Sequence, residues 1–192
     1  MKPHVVVLAA LAAASVAALA QAPRELDGVW GKAGQTPDRY EVGVDDTGYG
    51  RSGGAKFIRH KTGVREGSET EWGTLMQQIA ADNYRGKRVR FSAQVRTRAV
   101  TSWAGLWMRV DRPGGDMVLY NSSDRPIRGT ADWQQKSVVL DVAPDASVIA
   151  FGVINEGTGQ VWIDDLKLEV VGNDVPVDVL VRKPMLRKVP SL

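Results

Sequence analysis

Residues 87–100, KRVRFSAQVRTRAV, indicate the fold class most clearly. Apolar side chains occupy every second position, beginning with Val89, Phe91 and Ala93, and polar or charged side chains fill the positions between them. A period of two over this length is typical of a β-strand with one face buried and the other facing solvent. The stretch therefore predicts a long, half-buried strand.

Eight shorter runs elsewhere in the chain have the composition of strands. They are RYEVGVD, AKFIRH, GTLMQQIA, WAGLWMRVD, DMVLYN, QKSVVLDVA, SVIAFGVIN and GQVWIDDLKLEVV. Turn-forming sequences such as RPGG, DRPIRGT, APDA and NEGTGQ separate several of them. About nine short strands without a long helical period predict an all-β fold, an antiparallel β-sandwich or barrel. One helical turn is possible over residues 80–87, ending at Gly86.

The first twenty residues have the pattern of a secretory signal peptide. One lysine precedes an apolar run from residue 5 to residue 20, which closes on Ala18-Leu19-Ala20. The run is too short and too rich in alanine to predict a membrane span, although a buried N-terminal helix remains an alternative. We expect cleavage before Gln21 and export to the periplasm or the medium.

The rest of the chain divides into three parts. Residues 21–38 are rich in proline, glycine and charge and are interpreted as a leader segment. Residues 39–172 form the predicted β-sandwich, which is of the size of one domain. Residues 173–192, which include VRKPMLRKVPSL, are predicted to form a flexible basic tail.

The composition argues against several classes of function. The chain has no cysteine, which excludes disulfides and thiolate chemistry. His60 is the one histidine after residue 20, and no nucleophile elbow or phosphate-binding loop accompanies it. The net charge of +3 is mixed along the sequence and predicts no nucleic-acid partner. A non-catalytic protein is expected, with carboxylate-based glycoside hydrolysis left open.

The order of the motifs resembles a known family. GTLMQQIAADNYRGKRVRFSAQVRT, then AGLWMRVD, then TADWQQKS and the closing VWIDDLKLEVV are similar to the galactose-binding-like jelly roll of carbohydrate-binding modules. The similarity is strongest to the accessory sandwich domain attached to some bacterial transcriptional regulators, and it covers residues 40–171. It implies a jelly-roll fold and a binding role. It does not identify the ligand, because this fold hosts many functions.

Residues 103–126, WAGLWMRVDRPGGDMVLYNSSDRP, predict a hairpin. If RPGG forms a four-residue loop, Trp107 lies opposite Tyr120. Alternation then gives the hairpin an apolar core face consisting of Leu106, Met108, Val110, Met117 and Leu119. The opposite face carries Trp107 and Tyr120 beside Arg109, although a register shift of one residue would reverse the two faces.

Such a face suits a sugar, whose C–H surface stacks on aromatic rings while polar groups bind its hydroxyls. The predicted ligand-binding residues are Trp103, Trp107, Arg109, Tyr120, Asn121, Asp124 and Arg125. Alternatively, Trp107 and Tyr120 are a cross-strand pair that only stabilises the sheet. The domain would then be a structural or protein-interaction sandwich without a sugar ligand. Trp72, Trp133 and Trp162 are predicted to be packing residues.

The resemblance also implies a calcium site. In the similar modules, the aspartate pair of the closing strand helps to hold a structural calcium ion together with an acidic residue near the start of the domain. Asp164 and Asp165 match that pair here, and Glu41 is the candidate partner. Carboxylate oxygens are ligands that calcium prefers. The alternative is an aspartate that only accepts hydrogen bonds from backbone amides at a strand edge.

Overall fold

The fold of the chain is all-β, as predicted. The computed structural model describes residues 24–46, 48–50, 53–61, 63 and 71–180. The predicted signal peptide and residues 181–192 of the predicted tail lie outside the described residues. The strands are β1 (Gly31–Gly34), β2 (Tyr40–Asp45), β3 (Ala55–His60), β4 (Trp72–Ala80), β5 (Arg88–Asp111), β6 (Met117–Tyr120), β7 (Ile127–Asp141), β8 (Val148–Glu156) and β9 (Gln160–Val171).

The nine strands form one continuous hydrogen-bonded sheet, and β5 is shared by its two halves, here called the first and second sheets. The first part of β5 pairs with β7 and β9, and its second part pairs with β6 and β8. The first sheet therefore has the order β1-β4-β8-β5-β6 and the second the order β7-β5-β9-β3-β2, all antiparallel. The sequence predicted two strands over this region. Instead, one strand of 24 residues continues through an irregular stretch near Ala99, whose φ is 53°.

The hydrophobic core lies between the two sheets. The second sheet contributes Val89 and Phe91, and the first contributes Leu106, Met108 and Ile149, all fully or almost fully buried. Trp30 packs against this core, with its ring 6.0 Å from that of Phe151 in edge-to-face contact. The packed region thus begins within the segment interpreted as a leader, which also supplies β1.

Helical structure is minimal among the described residues. It consists of one 3-10 turn over Pro37–Arg39. The predicted helical turn over residues 80–87 is a hydrogen-bonded turn in which Tyr84 and Arg85 both donate their N–H groups to the Ala81 carbonyl. In the described part of the chain, no helix has the length and apolar character needed to cross a membrane.

The register of the β5–β6 hairpin differs from the prediction by one residue. The Arg112 N–H donates to the Asp116 carbonyl across 2.8 Å, and the loop spans residues 112–116, so that Met108 rather than Trp107 lies opposite Tyr120. Gly114 and Gly115, with φ of 89° and 92°, allow this longer loop, because glycine adopts positive φ without steric cost.

The shift moves every residue of β6 to the other face. Tyr120 enters the core and is 1% exposed, whereas Met117 and Leu119, predicted as core, are 59% and 40% exposed. Trp107 and Tyr120 therefore lie on opposite faces of the first sheet. The predicted side-by-side pair is wrong, both as a sugar platform and as a structural pair.

Candidate functional site

Two tryptophans flank a carboxylate on the outer face of the first sheet. Glu156 on β8 is the register partner of Trp72 on β4 and, on its other side, of Trp103 on β5. Residues directly opposite each other on neighbouring strands point to the same face, so the three side chains form one row. The Ser102 hydroxyl donates a 2.8 Å hydrogen bond to Glu156 Oε1 and orients the carboxylate. Both indoles are half-buried.

Trp107 lies beside this row and forms the floor of a groove on the outer face. It lies on the same face of β5 as Trp103, opposite Gly152 of β8. Its indole crosses β8, and Nε1 donates a 2.7 Å hydrogen bond to Thr74 Oγ1 on β4. The Thr74 hydroxyl donates in turn to the Val153 carbonyl across 2.9 Å. Trp107 is 6% exposed, so its indole is a fixed floor rather than a free platform.

These residues enclose an open groove of about 340 Å³, here called the tryptophan groove. Apolar side chains of β6 form one rim, where Leu119 faces Arg109 across the hairpin. The Arg109 guanidinium is bound to the Asp111 carboxylate by two hydrogen bonds of 2.7 and 2.9 Å. Besides the three tryptophans, the lining includes Met76, Arg109, Leu119, Asn121, Ile154 and Glu156.

The predicted ligand-binding residues separate into two groups. Trp103, Trp107, Arg109 and Asn121 line the tryptophan groove. Tyr120, Asp124 and Arg125 do not, because the register shift turns Tyr120 inward.

The second group forms a cluster of its own. The Tyr120 hydroxyl donates a 2.6 Å hydrogen bond to Asp124 Oδ1, and the Arg125 guanidinium lies 5.0 Å from the Tyr120 ring centre. Burial and this hydrogen bond raise the pKa of Tyr120 well above its usual range. Arg125 also pairs with Asp178 at 3.0 Å. These contacts tie Tyr120, Asp124 and Arg125 to one another and to the C-terminal part of the described chain rather than to the groove.

The sequence reasoning missed Trp72 and Glu156. Trp72 was predicted to be a packing residue, and Glu156 was not considered. Trp72 and Glu156 lie next to each other because β8 pairs with β4, and together they join Trp103 because β8 also pairs with β5. No local sequence pattern reveals this strand order. Of the other two tryptophans predicted to pack, Trp162 is 3% exposed, and Trp133 is partly buried against the cluster that contains it.

The structure does not bring the predicted calcium ligands together. Glu41 lies opposite Arg59, which lies opposite Gln160, four residues from Asp164 on β9. At the rise of a strand, this separation is about 13 Å.

Each of the three carboxylates also has a hydrogen-bond or ion-pair partner within the protein. Glu41 is ion-paired with Arg59, and Asp165 is paired with Lys167 at 3.2 Å. Asp164 accepts hydrogen bonds from the backbone N–H groups of Tyr49 and Asp165 at 2.6 and 2.7 Å. Among the described residues, no group of three or more histidine or acidic side chains is placed to hold a metal ion. One calcium ion held by these three carboxylates does not fit this arrangement.

Comparison with known proteins yields one sequence relative and several structural ones. No family model matches the chain. An uncharacterized HTH-type transcriptional regulator, YbfP of Bacillus subtilis (strain 168), is 39% identical over 148 residues, which cover 77% of this chain and 49% of the regulator. The chain thus spans about half the length of this relative.

Two solved structures cover most of the domain. The C-terminal family 22 carbohydrate-binding module of Clostridium thermocellum Xyn10B superimposes with a TM-score of 0.52 and 16% identity, over 78% of this chain and 89% of the module. The CBM22-1 xylan-binding domain of Paenibacillus barcinonensis Xyn10C gives 0.52 and 12%, over 78% and 90%. The chain has the jelly-roll fold of carbohydrate-binding modules. At these identities the likeness establishes the fold alone, and it confirms the predicted architecture.

Proposed function

We propose that this domain is a non-catalytic carbohydrate-binding module that holds a glycan chain in the tryptophan groove. The observation that carries the proposal is the row in which Trp72 and Trp103 flank Glu156 on an open face of the sheet. Indole rings stack on the C–H faces of sugars, and a carboxylate between two such rings accepts hydrogen bonds from their hydroxyls. The buried Trp107 keeps the floor apolar.

Among the described residues that line the tryptophan groove, Glu156 is the one carboxylate, which supports a binding role without catalysis. Glycoside hydrolysis by two carboxylates requires them about 5–9.5 Å apart. Glu156 lies opposite Trp103, whereas Asp111 lies eight residues further along β5 and is held by Arg109. Eight residues of strand correspond to about 26 Å, too far for the two carboxylates to act on one glycosidic bond.

The comparisons and the N-terminal sequence suggest which ligands to test first. One structural neighbour is a xylan-binding domain. The signal-peptide pattern of residues 1–20 supports export, and an exported module meets polysaccharides of the cell envelope or of plant debris. We therefore propose β-linked plant and cell-wall polysaccharides as candidate ligands, with neither nucleic acid nor a membrane span involved.

Calorimetric titration of residues 21–192 with xylan, mixed-linkage glucan, mannan and peptidoglycan fragments tests the proposal. Trp103→Ala should weaken binding by about 5- to 150-fold, as expected when an aromatic anchor worth about 1–3 kcal/mol is removed. Trp133→Ala is the matched control, because Trp133 is also half-buried but lies away from the groove. Failure of the parent to bind any member of this panel, or equal losses in both variants, would contradict the proposal.

A second candidate function is supported by strand β6. Met117, Val118 and Leu119 are 59%, 49% and 40% exposed on this short strand, which pairs only with β5 among the described residues. An apolar sheet edge of this kind is a surface that a partner protein can cover. A photo-crosslinker at residue 118, introduced in the native host, should yield a protein adduct if this function operates. Adduct formation with no glycan binding would favour it over the first.

A further inference from the structure

A second pocket, of about 470 Å³, lies on the outer face of the second sheet. Four neighbouring strands contribute one row of side chains to it. Glu41 on β2 lies opposite Arg59 on β3, which lies opposite Gln160 on β9, and Gln160 lies opposite Arg98 on β5. Lys61 adds a further cation at the end of β3. This set of five residues, with the Thr158–Gly159 turn, is here called the anion pocket.

The two guanidinium groups of the anion pocket are held in place. Arg59 stacks on Phe57 with its guanidinium carbon 5.2 Å from the ring centre, and Arg98 stacks on Trp162 at 5.4 Å. The Arg98 guanidinium also donates a 3.0 Å hydrogen bond to Gln160 Oε1. A guanidinium that is already ordered loses less side-chain entropy when it binds an anion, and its planar fork matches a carboxylate or phosphate.

The wall of the pocket is also fixed. The Gly159 carbonyl accepts hydrogen bonds from the His60 N–H at 3.0 Å and from the Asn155 side-chain amide at 3.1 Å. The Thr158 N–H donates to the Thr101 hydroxyl at 2.8 Å. Gly159 has a φ of 94°, and a Cβ there would overlap the Ala99 carbonyl, so only glycine fits. These contacts give the pocket its shape before any ligand binds.

The charge of the pocket is unbalanced. Among its described lining residues, Glu41 is the one carboxylate, and it is ion-paired with Arg59. The positive charges of Arg98 and Lys61 are therefore not balanced by any described carboxylate in the lining of the pocket.

We propose that this pocket binds an acidic sugar unit of a polysaccharide, with Arg98 and Lys61 contacting its anionic group. The site goes beyond the proposed function, because it lies on the opposite side of the sandwich from the tryptophan groove and takes a charged ligand.

The same surface is poorly suited to nucleic acid. Phe57 and Trp162 are 2% and 3% exposed beneath their arginines, so neither ring is available to stack on a base. Three cations, Arg59, Lys61 and Arg98, line this one pocket. A volume of this size is in the range of small-molecule sites and suits one or two sugar units.

The proposal is tested by titration at low salt with polygalacturonate. Its fully methyl-esterified form, which is uncharged, is the control ligand. The variant Lys61→Gln/Arg98→Gln removes the two positive charges from the pocket. Lys87→Gln/Arg90→Gln is the matched control, because it removes the same charge from one exposed and one half-buried position outside the pocket, and Arg90 lies on the same face of β5, eight residues from Arg98. We expect the parent to bind polygalacturonate but not the ester, with an affinity that falls as the salt concentration increases. The pocket variant should bind polygalacturonate at least about tenfold more weakly, because the loss of charged hydrogen bonds should reduce the binding free energy by about 1.4 kcal/mol.

Four outcomes would overturn the proposal. They are the absence of polygalacturonate binding by the parent, equal losses in the two double variants, binding lost in Trp103→Ala, and single-stranded DNA bound as tightly as polygalacturonate. Loss of binding in Trp103→Ala would place the acidic ligand in the tryptophan groove. The neutral glycans are titrated separately. A failure of polygalacturonate to bind the anion pocket can therefore be distinguished from a failure of neutral glycans to bind the tryptophan groove.

Discussion

The indole Nε1 of Trp107 donates a 2.7 Å hydrogen bond to the hydroxyl of Thr74, which lies on the far side of strand β8. This bond links β5 to β4 although the two strands are not neighbours. It makes the floor of the tryptophan groove part of the folded structure. Substitution of Trp107 is therefore expected to change stability as well as binding, and Trp103 is the better probe of ligand contact.

Thr74→Val should destabilise the domain by about 1–3 kcal/mol, because it leaves the buried indole N–H of Trp107 without an acceptor. Trp107→Phe removes the donor as well as part of the ring. A double-mutant cycle by urea unfolding measures the coupling between the two side chains. We expect the Thr74→Val cost to fall markedly in the Trp107→Phe background. Strictly additive effects would mean that the hydrogen bond does not contribute to stability.

Glu156→Gln should weaken glycan binding by about fivefold or more while leaving the melting temperature nearly unchanged. A charged acceptor forms stronger hydrogen bonds with sugar hydroxyls than an amide does. The Ser102 hydroxyl can still donate to the amide oxygen, so the orientation of the side chain is preserved. Glu169→Gln, at an exposed position of β9 paired with Arg90, is the control for the change of charge. Unchanged affinity in Glu156→Gln would remove this residue from the binding site.

Gly152→Ala should lower the free energy of unfolding by about 1–3 kcal/mol or more. A Cβ at this position would overlap the Leu75 carbonyl oxygen and press on the backbone of β4. Such overpacking typically costs about 1–3 kcal/mol and sometimes more. Gly31→Ala is the control, because its Cβ would meet no atom within 4 Å. Guanidinium unfolding of the two variants should differ clearly, and equal midpoints would show that the two strands can separate at little cost.

The Arg88–Asp141 pair should make stability depend on acid pH. Arg88 donates to both Asp141 oxygens at 2.7 and 3.0 Å, and these hydrogen bonds hold the pKa of Asp141 below its ordinary value of 3.8. The folded state therefore binds this proton more weakly than the unfolded state. The pair stabilises the fold above about pH 3.8, and that contribution is lost as the pH falls through the lowered pKa. Asp141→Asn should be less stable than the parent at pH 6 in thermal melts, and this difference in stability should narrow as the pH falls below 3.8. A difference that stays constant over this range would contradict the assignment.

Local patterns in the sequence predicted the strands well. The alternation in residues 87–100 and the GQVWIDDLKLEVV run correspond to the start of β5 and to β9. The hairpin register could not be read in the same way, because four- and five-residue loops containing Pro-Gly-Gly look alike until the closing hydrogen bond is known. The row that joins Trp72 to Trp103 through Glu156 was inaccessible for a different reason. It is created by β8, which begins about sixty residues after the start of β5, and the periodicity of a single strand does not encode which strands become neighbours.

The central position of β5 also determines when the chain can fold during its synthesis. All four of its strand partners, β6 to β9, follow it in the sequence. The earlier strands join the sheets only through late ones, β1 and β4 through β8, and β2 and β3 through β9. Strands β1 and β4 therefore cannot join the sheet until β8 has been made, and β2 and β3 must wait for the last strand, β9. Such non-local pairing is characteristic of slow folding, on the order of milliseconds to seconds. We therefore expect a newly made chain to remain unfolded through most of its synthesis.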